Sequence, residues 1–170
     1  MPLFQSKLGR RTTKLNGEKM FQKVVIGGTY DMIHKGHEKV LETGFQISER
    51  VIIGLTSDEF ARRFRVEEVL PFEERRKNLE KFIEKFGKEY RIIKIDDAYG
   101  IATIDPEIDC IVASEETLLR ASEINAIRFK KGLPKLTIVV VPIVLAEDGK
   151  PISSDRINAG IIDKEGKVLK

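Results

Sequence analysis

The sequence predicts an α/β protein: a doubly wound, mostly parallel sheet of about five strands with helices on both faces, in a single domain. Two observations carry this. Short runs rich in β-branched residues alternate with segments of helical period, and no internal repeat or interdomain linker interrupts them. A length of 170 residues allows one full hydrophobic core and hardly two.

The elements follow in chain order. Lys23–Ile26 (KVVI) and Val51–Leu55 (VIIGL) read as short buried strands. Between them Gly36–Gln46 has helical spacing, with Val40, Leu41 and Phe45 on one side. Glu73–Phe86 is an amphipathic helix whose Leu79, Phe82, Ile83 and Phe86 fall at i, i+3, i+4 and i+7, with Pro71 and Gly87 where a start and a stop are expected. Tyr90–Ile95 and Asp109–Ala113 read as strands, Glu116–Lys131 as a helix stopped at Gly132 with Pro134 beyond, and Leu136–Val141 as a last strand. The pattern is Rossmann-like, so ligands are expected outside the carboxyl ends of the strands, where strand order reverses.

Composition narrows the class. With 41% hydrophobic and 34% charged residues, the chain reads as a soluble globular protein with a charged surface. The longest apolar run, Leu136–Leu145, is broken by Thr137 and Pro142 and is too short to span a bilayer, and no N-terminal apolar region reads as a secretory signal. No membrane association is expected. A single cysteine, Cys110, cannot form an internal disulfide, which fits a cytoplasmic location, and its place in a strand predicts buried packing. Residues 1–22 hold Lys7, Arg10, Arg11, Lys14 and Lys19 against Glu18 alone, so this stretch carries +4 of a net +3 and leaves the rest at −1. The reading is therefore a basic, flexible tail at 1–22 and a near-neutral domain at 23–170, with no nucleic-acid platform.

The most informative stretch is GGTYDMIHKGH, Gly27 to His37, which joins the first strand to the first helix. Gly27 and Gly28 are read as allowing positive φ and close approach of a phosphate, and Gly36 as doing the same at a helix start with free N–H groups. His34 and His37, the only two histidines of the chain, lie one helical turn apart and can both donate to phosphate oxygens. Thr29 adds a hydroxyl at the same point. The stretch is neither the dinucleotide G-x-G-x-x-G pattern nor a P-loop.

G-G-T-x-D followed by H-x-G-H resembles the cytidylyltransferase-like nucleotidylyltransferases, whose H-x-G-H binds nucleotide phosphates. Ile152, Ser153, Ser154, Asp155, Arg156 and Ile157 match that family's late I-S-S-x-R-I motif. By this resemblance Ser153, Ser154 and Arg156 bind the β- or γ-phosphate. Ser114–Thr117 (SEET), Ile124–Arg128 (IN-x-x-R), Glu147–Ser154 (EDGKPISS) and Ala159–Gly166 (AGIIDKEG) are similar to the archaeal and eukaryotic-type phosphopantetheine adenylyltransferases within it. That similarity implies transfer of AMP from ATP to 4′-phosphopantetheine by direct in-line attack. Ser114, Glu115 and Thr117 are then expected to line the adenosine pocket, with Asn125 and Arg128 on the helix beside it.

The other roles follow from the same resemblance. His37 and Thr29 are assigned to the reacting phosphorus and His34 to the outer phosphates, with Mg²⁺ carried by phosphates and water. Tyr30, Asp31, Asp97 and Tyr99 are candidates for the acceptor side, Asp97 and Tyr99 being equally readable as an ordinary turn. Arg62, Arg63 and Arg65 are candidates for the acceptor phosphate. Asp155 stands where the family has Thr and is expected to point away from the triphosphate or accept backbone hydrogen bonds; Asn158 also departs from a commonly basic position. NMN, FMN and glycerol-3-phosphate acceptors, or a noncatalytic nucleotide- or RNA-binding role, remain alternatives. The oligomeric state stays open, with a monomer as the expectation.

Overall fold

Five parallel strands run side by side in the order β3-β2-β1-β4-β5, where β1 is Phe21–Gly28, β2 Ser48–Thr56, β3 Glu89–Ile95, β4 Cys110–Ser114 and β5 Thr137–Val141. The computed structural model describes residues 14–15, 18–63 and 68–169. Among the described residues five α-helices accompany the strands: α1 (Lys35–Ile47), α2 (Asp58–Arg62), α3 (Phe72–Ile83), α4 (Leu118–Lys130) and α5 (Ser154–Asn158). A two-residue antiparallel ladder, Lys14–Leu15 with Glu18–Lys19, precedes the sheet.

The two-residue period of the strands sorts the core into two layers. Val24 and Ile26 of β1, Val51, Ile53 and Leu55 of β2, and Cys110 and Val112 of β4 pack on one face against Leu41 and Phe45 of α1 and Leu79 and Ile83 of α3. Val25, Ile52, Ile111 and Ala113 turn the other way and meet Ala121 and Ile124 of α4. Helices on both faces make every central strand an apolar run, which is why those segments read as buried strands. Cys110 is part of this packing; burial pushes its thiol up to about 12.

Each expected strand and helix is present, with ends shifted by a few residues. Met20 is buried and Phe21 opens β1, so the folded body begins ahead of residue 23. Most of the expected tail lies outside the described residues. Asp109 precedes its strand and accepts the N–H groups of Gln22 and Lys23 at 3.1 and 3.0 Å, tying the start of β4 to β1. The expected helix at 73–86 ends as α3 plus a 3₁₀ turn at Glu84–Phe86. α2 falls in a stretch to which the sequence pattern assigns no element. It has five residues, Ser57 caps it by accepting the Phe60 N–H at 3.1 Å, and only Phe60 and Ala61 are buried, too little for a visible period.

Two fully buried arginines join segments that no ladder connects. Arg75 of α3 donates to the Leu70 carbonyl (2.8 Å), the Thr29 carbonyl (2.9 Å), the Thr56 hydroxyl (3.3 Å) and the Asp58 carboxylate (2.9 Å). Arg128 of α4 donates to the carbonyls of Pro134, Ala102, Asp105 and Ile108 at 2.8, 2.9, 2.8 and 3.4 Å. Asn125, one turn earlier, exchanges both hydrogen bonds with the backbone of Leu136, at 3.0 and 2.8 Å. The IN-x-x-R stretch therefore docks α4 onto the loops that enter β4 and β5. Asn125 and Arg128, expected beside the adenosine pocket, spend these polar groups on backbone and line neither of the two cavities described below.

Lysine cannot serve four carbonyls from one planar group. Arg128→Lys is expected to lower stability by about 3 kcal/mol in urea unfolding, since each orphaned buried acceptor costs about 1–3 kcal/mol. Nucleotide affinity of the folded fraction is expected to stay within twofold.

Candidate active site

The strand order reverses between β1 and β4, and the loops leaving their carboxyl ends part there, as the doubly wound topology requires. Two cavities open at that point. The larger, about 540 Å³, is lined by His34, His37, Ser114, Thr117, Ser153 and Ser154, among others. The smaller, about 360 Å³, lies on the α4 side and has a more apolar wall, including Val25, Ile95, Ile101, Ala121 and Ile124. Gly27, Gly28, Val112, Ala113 and Thr117 belong to both walls, so the cavities meet over the ends of β1 and β4.

The β1–α1 loop is built around two stacked imidazoles, with ring centroids 3.8 Å apart and planes at 20°. His34 is the N-cap of α1: its Nδ1 accepts from the Gly36 N–H at 3.1 Å and the His37 N–H at 3.4 Å. His37 Nδ1 in return accepts from the His34 N–H at 3.4 Å. With both Nδ1 atoms acting as acceptors, the tautomer assigned to each ring carries its proton on Nε2. Both rings line the larger cavity beyond the cap.

This geometry corrects the expectation of free helix N–H groups. The Lys35 N–H donates to the Lys164 carbonyl at 3.1 Å, those of Gly36 and His37 to His34, and that of Glu38 to the His34 carbonyl at 3.0 Å. An anion here meets imidazole donors and the helix dipole in place of bare amides. The glycines also act differently from expectation. Gly27, Gly28 and Gly36 are absent from the positive-φ residues, and the loop's one positive φ, 47°, belongs to Tyr30. A Cβ on Gly28 would come within 2.7 Å of the Tyr30 ring, and one on Gly36 within 2.9 Å of the His34 ring. Both glycines make room for a ring. Tyr30 is buried beside His37, with centroids 5.2 Å apart, and burial drives its phenol well above the ordinary range, keeping it neutral.

Thr29 sits at the mouth of the smaller cavity; its hydroxyl accepts from Thr56 at 3.1 Å and its carbonyl is held by Arg75. Asp31 accepts the Leu70 N–H at 2.7 Å, fixing the approach to α3, and lines neither cavity. Across the cleft the Ser114 N–H donates to the Thr117 hydroxyl at 3.0 Å, and the Glu115 carboxylate accepts the Ile143 N–H at 3.2 Å. Ser114 and Thr117 line the larger cavity, whereas Glu115 braces the loop after β5 and its neighbour Glu116 takes the place on the wall.

The second jaw is α5. Ser153 caps it by accepting the Arg156 N–H at 3.3 Å, and Ser154 is buried. Asp155, expected to turn away, is on the wall of the larger cavity. Arg156 is off that wall, its guanidinium bound to the Asp148 carboxylate and, at 2.8 Å, to the Pro151 carbonyl. A C-terminal hairpin carries this jaw to α1: Lys164 takes the Lys35 N–H, Gly166 takes the Glu147 N–H at 2.9 Å, and Ala146, Ile152 and Ile162 form a small core beneath.

The remaining candidates sort cleanly. Asp97 accepts the N–H groups of Tyr99 and Gly100 at 2.9 and 2.6 Å, forming a turn, and lines neither cavity. Tyr99 lines the smaller cavity and donates to Glu123 at 3.1 Å. Arg62 and Arg63 are exposed on α2 and line neither cavity, Arg63 pairing with Glu59 at 3.3 Å; Arg65 lies outside the described residues. The cation that does line the smaller cavity is Arg120, which sequence reasoning missed. Arg75 was missed too, although it falls on the same helical stripe as Phe72, Leu79 and Ile83, and a cation in an apolar stripe was its signal.

Residues 25–160 match the cytidylyltransferase-like family. A phosphopantetheine adenylyltransferase from Methanothermobacter thermautotrophicus is 42% identical over 153 residues, covering 90% of this chain and 93% of that protein. Another from Thermococcus kodakarensis is 46% identical over 153 residues, covering 89% and 93%. A crystal structure from Archaeoglobus fulgidus, of a protein of unknown function, superposes with a TM-score of 0.65 at 37% identity, over 71% of this chain and 89% of that one.

Asparagine is a good N-cap but lacks the Nε2 donor. His34→Asn is therefore expected to keep stability within about 0.5 kcal/mol while weakening ATP binding at least fivefold by calorimetry. His34→Ala is expected to cost about 1 kcal/mol as well.

Proposed function

The chain belongs to the cytidylyltransferase-like family, and from that premise we propose that it is a phosphopantetheine adenylyltransferase. It transfers the AMP part of ATP to 4′-phosphopantetheine, yielding dephospho-coenzyme A and pyrophosphate. The observation that carries the reading is the pair of cavities meeting at Gly27–Gly28: one with imidazole and hydroxyl donors for a nucleoside triphosphate, one with an apolar wall for an extended acceptor arm.

The acceptor phosphate attacks the α-phosphorus where the cavities meet, and pyrophosphate leaves toward α5. A phosphate dianion is a competent nucleophile near neutral pH, so catalysis rests on positioning and on stabilising the charge that develops on the transferring group. His37 Nε2–H and the Thr29 hydroxyl are suited to the oxygens on the reacting phosphorus. His34, Ser153 and Ser154 are suited to the β- and γ-phosphates. Ser114 and Thr117 face the adenosine, and Tyr99 and Arg120 line the acceptor cavity, Arg120 with donors for the acceptor's carbonyls and hydroxyl.

Mg²⁺ bound with the triphosphate would offset its charge. Among the described residues no group of three or more His, Cys, Asp or Glu forms a metal cage, and two carboxylates, Glu116 and Asp155, line the larger cavity, Asp155 beside Ser153 and Ser154. That donor set fits an ion carried by phosphates and water with Asp155 in reach. Both substrates are small molecules. No described helix is long and apolar enough to cross a membrane, and the cytoplasm, which supplies ATP, is the compartment this reading implies.

Pyrophosphate release from ATP and Mg²⁺, with 4′-phosphopantetheine, NMN, FMN and glycerol-3-phosphate offered separately, tests the function. Release with phosphopantetheine alone and an equal yield of dephospho-coenzyme A is expected; release with another acceptor instead overturns the substrate. His37→Ala is expected to lower kcat about 10²–10³-fold with little change in ATP affinity. An unchanged kcat removes His37 from the reaction.

A further inference from the structure

Arg156 stands beside the cavity but not on it. Ser153, Ser154 and Asp155 line the wall, whereas the next side chain turns to a different partner. One guanidinium nitrogen donates to the Pro151 carbonyl at 2.8 Å and the other to the Asp148 carboxylate. Asp148 is a preset acceptor. Its second oxygen takes the Lys150 N–H at 3.1 Å, and the turn that carries it is closed by Gly149 N–H to Ala146 carbonyl (3.0 Å) and Ala146 N–H to Lys150 carbonyl (2.8 Å). The Lys150 N–H, followed by Arg156, holds this carboxyl below the usual carboxylate range, so it stays charged at any pH where the enzyme works. The pair is shallow: the two side chains are 17% and 28% exposed. Solvent and a competing anion can reach it.

We propose that Asp148 is an affinity-setting residue that parks Arg156 outside the phosphate cavity, and that Arg156 exchanges Asp148 for the outer phosphates when ATP binds. The proposal rests on the adenylyltransferase reading and on the late-motif resemblance that assigns Arg156 to the outer phosphates. A guanidinium prefers a doubly charged phosphate to a single carboxylate, but the ion pair must be broken first, so Asp148 weakens triphosphate binding. A nucleotide without β- and γ-phosphates does not draw Arg156 away and gains nothing from the loss of Asp148. The device therefore tunes the site's preference among phosphorylation states and eases release of pyrophosphate, because the carboxylate is there to take the arginine back.

Asp148→Asn tests this, since asparagine keeps an oxygen for the Lys150 N–H and removes the charge. Calorimetric titration with ATP and, separately, AMP is the measurement. Tightening of ATP by about two- to fivefold, the range that a partly exposed ion pair commands, with AMP unchanged, is the expected result. In an Arg156→Ala background the same substitution is expected to have no effect on either nucleotide. Unchanged or weaker ATP binding in Asp148→Asn overturns the proposal; weaker binding would mean that Asp148 holds Arg156 in its working position. If Arg156→Ala alone leaves ATP affinity untouched, the assignment of Arg156 to phosphate fails, a separate result from failure of the exchange.

Discussion

The buried guanidinium of Arg75 is the constraint on which the rest of the site depends. Loops at the carboxyl edge of a parallel sheet have no ladder to pair their backbone groups, and each must find a partner or face solvent. Arg75 reaches four segments at once, the loop after β1, the last residue of β2, the start of α2 and the approach to α3. Its charge is matched by Asp58, which is 39% exposed and so retains hydration on one side. That arrangement reduces the penalty of burying an ion pair, and two carbonyls and the Thr56 hydroxyl accept three further N–H groups. The threonine proposed to touch the reacting phosphorus is held by its own carbonyl in this network.

The same economy governs the histidines. Helix α1 begins where an anion is expected, but its first N–H groups are already taken by His34 and by the carbonyl of Lys164. The imidazoles link the helix terminus to the cavity: Nδ1 satisfies the backbone while both rings line the cavity wall. A residue that capped the helix without a second donor would stabilise the fold and leave the phosphate unattended. The C-terminal hairpin closes the circuit, since it satisfies the first amide of α1 and carries the jaw that bears Ser153 and Ser154. Both sides of the larger cavity are thereby fastened to one helix terminus.

Strands and long helices were legible in the sequence because burial imposes a period, and the G-G-T-x-D and H-x-G-H stretch was legible because chemistry-bearing residues crowd one loop after the first strand. What stayed hidden has physical causes. Asn125 and Arg128 look like ligand contacts in a motif, but a motif does not distinguish a side chain that meets a substrate from one that clamps carbonyls. The positive φ was expected at glycines and occurs at Tyr30, because the ring needs the space that Gly28 leaves open. α2 is too short to show a period. Arg120 lies on an exposed helical stretch and gains meaning only from the cavity it borders.

Direct transfer between two substrates that meet over Gly27 and Gly28 is the central claim. The stereochemical course at phosphorus tests it most directly: ATP of known configuration at an α-phosphorothioate, with the configuration of the dephospho-coenzyme A product read by ³¹P NMR. Inversion is predicted, as one in-line displacement requires. Retention would contradict the account, because it demands two displacements and hence a covalent nucleotidyl intermediate on the enzyme.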